Sequence, residues 1–181
     1  GWSLPRILCR AVLLLVLAVF GTLPTVLCIN RMGASIRPGG QGLDEIMMKW
    51  WSNSVCRVFG VRIKLRGSIS QPPVLLVANH ISWLDILALH SLAVMTFVSK
   101  AEVADWPLIS SLARLARVVF HERGSHDSAS SVAAAMTASL KQGRRVAIFP
   151  EGGIRPGDHV KIFHARLFKA AVDVPCPVQP V

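Results

Sequence analysis

The sequence predicts an α/β protein with a largely parallel central sheet flanked by helices, carrying an N-terminal membrane helix and an amphipathic interfacial helix. Three observations lead there. A charge-free apolar run, Ala11 to Ile29, lies near the start of the chain. From Val61 onward short apolar runs alternate with longer helical patterns, the order that builds parallel sheets. Two of the short runs, Pro73 to Ala78 and Val146 to Phe149, are apolar throughout, as strands buried on both faces are.

Composition narrows the partners. The 181 residues suffice for one domain with a real core and are few for two. Hydrophobic residues make up 52% and charged residues 17%, an apolar excess concentrated near the N-terminus. A formal net charge of +10 favours anionic partners, either lipid headgroups or nucleic acid. With no basic low-complexity tail and no aromatic RNA-binding signature, nucleic acid is not expected, and the apolar leader points to membrane lipid. Cys9, Cys28, Cys56 and Cys176 are widely spaced and form no CxxC pair. Neither a structural zinc site nor a disulfide framework is expected from them, which suits a cytosol-facing domain.

Residues 1–37 read as a membrane-anchoring segment. A spanning helix needs about 20 apolar residues, and the run extends back to Ile7 if Arg10 snorkels. Pro24 is a kink candidate. A cleaved signal peptide competes, since Arg6 and Arg10 precede the apolar core, but no A-x-A-like site follows. Arg6 and Arg10 on one side are matched by Arg31 and Arg37 on the other, so orientation stays open. Residues 38–60 read as an amphipathic helix, with Leu43, Ile46, Met47, Trp50 and Trp51 on one face. That face suits a membrane interface and would equally suit packing on a core.

Residues 61–181 read as the alternating domain. Val61 to Leu65 alternates strictly, as a half-exposed strand does. After the buried strand at 73–78, a helix is expected over 83–90, a strand over 95–99, a helix over 101–116 and a strand over 117–120. An Ala- and Ser-rich helix over 125–141 ends at Gly143, which suits a left-handed cap at its C-terminus because glycine tolerates that conformation. A strand over 145–149, a helix near 164–172 and a final strand over 177–181 complete the series. The chain stops inside that last strand, so it is expected to be C-terminally truncated.

Three loops following strands concentrate polar residues, where open α/β sheets place their chemistry. The first is Asn79-His80-Ile81-Ser82-Trp83-Leu84-Asp85. On one continuous helix His80 and Asp85 would point ~140° apart. They can meet if His80 lies in the loop and Asp85 in the first helical turn, with Ser82 as cap. The carboxylate would then hold one imidazole nitrogen and leave the other to accept a substrate proton. An ordinary loop histidine beside a capping aspartate fits the same spacing. The second loop, Phe120-His121-Glu122-Arg123-Gly124, offers Arg123 to a phosphate or is a solvated charge cluster. In the third, Phe149-Pro150-Glu151-Gly152-Gly153, paired glycines let backbone N–H groups approach an anion. There is no G-x-S-x-G elbow for a hydrolase. His121/His126 and His159/His164 are each five apart, off the usual i, i+4 metal spacing, so no metal is expected.

These residues resemble the glycerolipid acyltransferases typified by 1-acylglycerol-3-phosphate O-acyltransferase. The Asn-His-x4-Asp block of that family is matched by Asn79, His80 and Asp85, its arginine after a short apolar strand by Arg123, and its Phe-Pro-Glu-Gly-Thr block by Phe149 to Gly152, with Gly153 replacing the threonine. Val178 to Val181 resembles its last block, and Lys100 sits where the family often carries a lysine near the acceptor phosphate. The resemblance implies an acyltransferase of phospholipid biosynthesis held at a membrane, the inner or cytoplasmic membrane in a bacterium. His80 and Asp85 would be the general-base pair, and Asn79, Lys100, Arg123, Glu151, Gly152 and Gly153 would bind substrate. The acceptor implied is a lysophospholipid, foremost 1-acylglycerol-3-phosphate, or another lysolipid such as lyso-ornithine lipid. The donor would be a thioester, acyl-CoA or acyl carrier protein, and no cofactor is implied. A non-catalytic, membrane-anchored lipid-binding protein of the same fold is the alternative outside enzymes.

Overall fold

The structure, a computed structural model, describes residues 3–29, 31–100, 118–121, 128–154 and 157–181. The chain divides into two units, Gly1–Ser68 with Ile86–Val94, and Ile69–Asp85 with Met95–Val181.

In the first unit, helix α1 (Leu4–Val16), a π turn (Leu17–Gly21) and helix α2 (Thr22–Cys28) run on as one 25-residue helix, Leu4–Cys28, containing an 18-residue stretch of mean hydropathy 2.5. At 1.5 Å per residue it is about 37 Å long, enough by length and composition to cross a hydrocarbon core of ~30 Å. The π turn has a local rationale. Pro24 lacks an N–H to return to the preceding turn, and widening the helix just before it lets the Thr22 N–H donate to the Leu17 carbonyl. The Thr25 hydroxyl donates to the Gly21 carbonyl at 2.8 Å.

Helix α3 (Arg31–Ser35) and a short turn at Pro38–Gly40 lead into α4 (Leu43–Val58). Asp44 and Glu45 in the first turn of α4, and Arg57 in its last, suit the helix dipole. The Trp51 indole N–H donates to the Thr22 hydroxyl at 3.2 Å, tying α4 to α2. The buried face of α4 is not the apolar stripe predicted from sequence. Asp44, Met48, Ser52, Val55 and Cys56 are buried, while Leu43, Ile46, Met47 and Trp51 are half-buried and Trp50 is exposed. Hydropathy could not mark a face built partly of small and polar residues. The Arg10 guanidinium lies beside Gly60, at the C-terminal end of α4, where a cation meets the negative end of the dipole.

Residues 61–65 form no strand, against expectation. The exposure pattern still alternates from Val61 to Lys64. Alternating hydropathy specifies an extended chain with one inward side; it does not supply an edge to pair with.

The second unit is built on a parallel sheet in the order β3-β2-β4-β1-β5, from β1 (Val74–Val77), β2 (Thr96–Lys100), β3 (Val118–His121), β4 (Arg145–Ile148) and β5 (Val178–Pro180). The expected largely parallel sheet is what forms. Helix α5 (Leu84–Leu92) follows β1, and α6 (Ser128–Lys141) and α7 (Lys169–Asp173) flank the later strands. The helix expected over 101–116 lies outside the described residues. On one sheet face Leu75 and Val77 of β1 and Val146 and Ile148 of β4 pack with Val132, Met136 and Leu140 of α6 and Ala170 of α7. The i, i+4, i+8 spacing of the three α6 residues sets them along one stripe. Val74, Leu76 and Ala147, which alternate with them, are also buried, so β1 and β4 are covered on both faces.

Candidate active site

Because β4 pairs with β1 in parallel, Val77 opposite Ile148, the two chains leave the sheet side by side at their carboxyl ends. The loop carrying His80 therefore emerges next to the loop carrying Glu151, although the two residues are 71 apart in sequence. That adjacency is the origin of the site.

Asp85, in the first turn of α5, reaches back into its own loop. One carboxylate oxygen, Oδ2, meets His80 Nδ1 at 2.9 Å and accepts the backbone N–H groups of Ile81 at 2.8 Å and Ser82 at 2.9 Å. The Ser82 hydroxyl accepts the Leu84 N–H at 3.2 Å, which starts the helix. Asp85 thus shapes the loop and aligns the imidazole together. A carboxylate only accepts, so Nδ1 carries the hydrogen and Nε2 is left with its lone pair. The side chain of His80 is 12% exposed.

The imidazole is held on its face as well as its edge. Phe149, the first residue after β4, stacks on it with ring centroids 3.9 Å apart and planes 12° from parallel. Phe97 of β2 lies behind, its ring 5.8 Å from that of Phe149. Sequence reading found Phe149 only as a motif letter; its role as a platform depends on strand order.

Glu151 is buried, and both its oxygens take backbone donors: Oε1 accepts the His80 N–H at 3.1 Å and Oε2 the Lys161 N–H at 3.0 Å. Gly152 turns the chain at φ +75°, with its N–H on the Phe149 carbonyl at 3.1 Å. His164 packs its ring edge against Gly152, where a Cβ would sit 2.8 Å from Nε2. Gly152→Ala is accordingly expected to lower stability by about 1–2 kcal/mol, the cost of a left-handed alanine, and to displace His164; thermal unfolding in detergent checks it. At Gly153 a Cβ would meet nothing within 4 Å among the described residues.

Asn79 is exposed next to His80. Lys100 ends β2, with its backbone pairing opposite His121, and its side chain lies outside what is described. Arg123 lies outside the described residues altogether. Among the described residues no group of three or more His, Cys, Asp or Glu side chains is placed to hold a metal ion. Cys56 and Cys176 stand apart from the His80 loop in sequence, and burial pushes both thiols up from their ordinary pKa, for Cys176 against a smaller lowering by a backbone hydrogen bond with Leu75. Neither is disposed to be a thiolate nucleophile.

A histidine held by a carboxylate thus stands at the carboxyl end of a parallel sheet, an arrangement that suits a general base acting on a nucleophile brought by the substrate. The chain belongs to the acyltransferase family, whose profile matches residues 61–181. It is 39% identical over 149 residues to a lyso-ornithine lipid O-acyltransferase of Pseudomonas aeruginosa, covering 82% of this chain and 56% of that protein. It is 34% identical over 108 residues to a 1-acyl-sn-glycerol-3-phosphate acyltransferase of Neisseria meningitidis, covering 60% of this chain and 42% of that protein. The chain spans about half the length of the curated relatives it matches. Its fold matches the crystal structure of the 1-acyl-sn-glycerophosphate acyltransferase PlsC of Thermotoga maritima with a TM-score of 0.71, at 19% identity, over 97% of this chain and 73% of that one.

Proposed function

We propose that this chain transfers an acyl group from a thioester, acyl-CoA or acyl carrier protein, to the hydroxyl of a lysolipid at a membrane. The observation that carries the reading is the 2.9 Å contact between His80 Nδ1 and Asp85 in the loop after β1. His80 Nε2 takes the proton of the acceptor hydroxyl as its oxygen attacks the thioester carbonyl carbon. The tetrahedral intermediate collapses, the carbon–sulfur bond breaks, and the thiolate leaves with the proton that the imidazolium returns. Asp85 steadies the imidazolium and its orientation. The reaction requires no acyl-enzyme.

The acceptor favoured here is lyso-ornithine lipid, because relatives at 37–39% identity carry that name. A carboxylate headgroup would sit with Lys100 and Arg123 as readily as a phosphate would. Gly153, with no side chain where the glycerolipid block has threonine, suits a bulkier headgroup. Asn79 and the Gly152–Gly153 backbone would line the acceptor side, and Glu151 would contribute through the two loops it ties. Lysophosphatidic acid is the second reading, supported by the Neisseria relatives and the Phe149 to Gly152 block.

Labelled acyl transfer to both acceptors, with each donor type, tests the proposal. Faster turnover of lyso-ornithine lipid is the expected result. Preference for lysophosphatidic acid would exchange the acceptor and keep the chemistry. No transfer to either from folded protein would leave a lipid-binding protein of this fold.

A further inference from the structure

Beyond the reacting groups, the second unit carries an apolar rim that its own core leaves uncovered. Ile162 is 92% exposed and Val160 60%, Phe163 is exposed next to them in sequence, and Ile81 and Trp83 are exposed on the His80 loop. Exposure on that scale usually reflects either a loose segment or a surface with an occupant. Here the segment is pinned on both sides of Ile162. The Lys161 N–H is held by Glu151 at 3.0 Å and the His164 N–H by the Pro150 carbonyl at 2.9 Å. Phe163 stacks on Phe168, centroids 6.3 Å apart. Gly157, at φ +84°, lies against Ile81 so closely that a Cβ would come within 2.7 Å of Cγ2, joining this segment to the His80 loop.

We propose that Val160, Ile162 and Phe163, with Ile81 and Trp83, form a membrane-docking tip belonging to the catalytic unit itself, and that its occupant is a bilayer surface bearing anionic lipids. The charge pattern selects that occupant. From His159 to Phe168 basic residues interleave with apolar ones (His159, Lys161, His164 and Arg166), and no acidic residue falls among them; Asp158, just before, is paired with His159 Nδ1 at 2.9 Å. Apolar side chains that enter the acyl boundary while cations such as Lys161 and Arg166 meet headgroups are the signature of interfacial insertion, and tryptophan suits the same depth. The tip is also coupled to the chemistry. One buried carboxylate, Glu151, holds the Lys161 N–H with one oxygen and the His80 N–H with the other. Docking the tip therefore bears on the loop that positions the base. This coupling rests on the functional reading above; the docking surface does not.

The test places an environment-sensitive fluorescent amino acid at position 162 of the full chain, on vesicles of phosphatidylethanolamine and phosphatidylglycerol with or without bilayer-embedded quencher lipids. Val172, on α7 and 77% exposed, supplies the comparison position. Strong quenching at 162 and weak quenching at 172 is the expected result. Equal quenching at both, or none at 162, overturns the proposal. So does a blue shift at 162 that grows with protein concentration in the absence of vesicles, which would make the occupant a second copy of the chain. In the activity arm, Ile162→Asp is expected to slow transfer to a long-chain acceptor in vesicles roughly tenfold or more, to spare a monomeric short-chain acceptor, and Ile162→Leu to restore the rate. Loss on both acceptors or on neither would sink the coupling. If the parent chain acylates neither acceptor, the functional reading fails, and the quenching result still decides the tip.

Discussion

Replacing His80 by alanine is expected to lower acyl transfer by ~10²–10⁴-fold, the usual range for a general base, with little change in thermal stability. The stability cost is confined to the packing of the largely enclosed ring on Phe149, because its loss leaves the loop hydrogen bonds from Ile81 and Ser82 to Asp85 in place. Asp85→Asn should behave differently. The amide oxygen can still accept loop N–H groups, but the site loses the charge that steadies an imidazolium, and an amide nitrogen turned toward His80 would favour the wrong tautomer. The decisive readout is kcat/KM for each variant beside its melting temperature in the same detergent. A His80→Ala protein that melts normally and keeps its activity would remove His80 from the chemistry. A parallel collapse of both quantities would reassign the residue to structure.

The second large effect is expected at Glu151. Glu151→Ala removes the acceptor of two backbone N–H groups, those of His80 and Lys161, in a partly buried setting. A buried donor left without its partner costs about 1–3 kcal/mol and these partly buried ones cost less, so both stability and turnover should fall. Glu151→Gln is the sharper variant, being nearly isosteric. Its amide keeps one acceptor and turns a donor toward the other N–H, so one link is restored and one is repelled. An expected intermediate loss of stability with a disproportionate loss of kcat would identify the carboxylate as a brace for the base. A change confined to acceptor KM would make it a substrate contact instead.

How legible this was from sequence varies by residue, and the reasons are physical. The runs at 73–78 and 145–149 gave β1 and β4 because burial on both faces leaves no polar alternation to misread. The same logic failed at 61–65, where alternation was real but no partner strand lay alongside. In α4 the tryptophan stripe drew attention from a buried face that contains Asp44, Ser52 and Cys56. The meeting of His80 and Asp85 could be reasoned out because it is local, a loop residue and a first-turn residue. The platform of Phe149 beneath the imidazole and the two-way brace of Glu151 could not. Both depend on β4 lying next to β1 rather than next to β3 or β5, and strand order is a property of the whole sheet.

That strand order also sets a timetable. β1 lies between β4 and β5, and both neighbours are made long after it. At a synthesis rate of roughly 5–20 residues per second, several seconds separate the appearance of His80 from that of Glu151. Throughout that interval the Val74–Val77 strand has neither of its eventual neighbours, and four apolar residues with two bare edges are an aggregation hazard. A strand buried along its whole length in the finished unit is therefore bare-edged during its birth, and the chain is expected to need either shielding by a chaperone or rapid delivery to a membrane before its sheet can close.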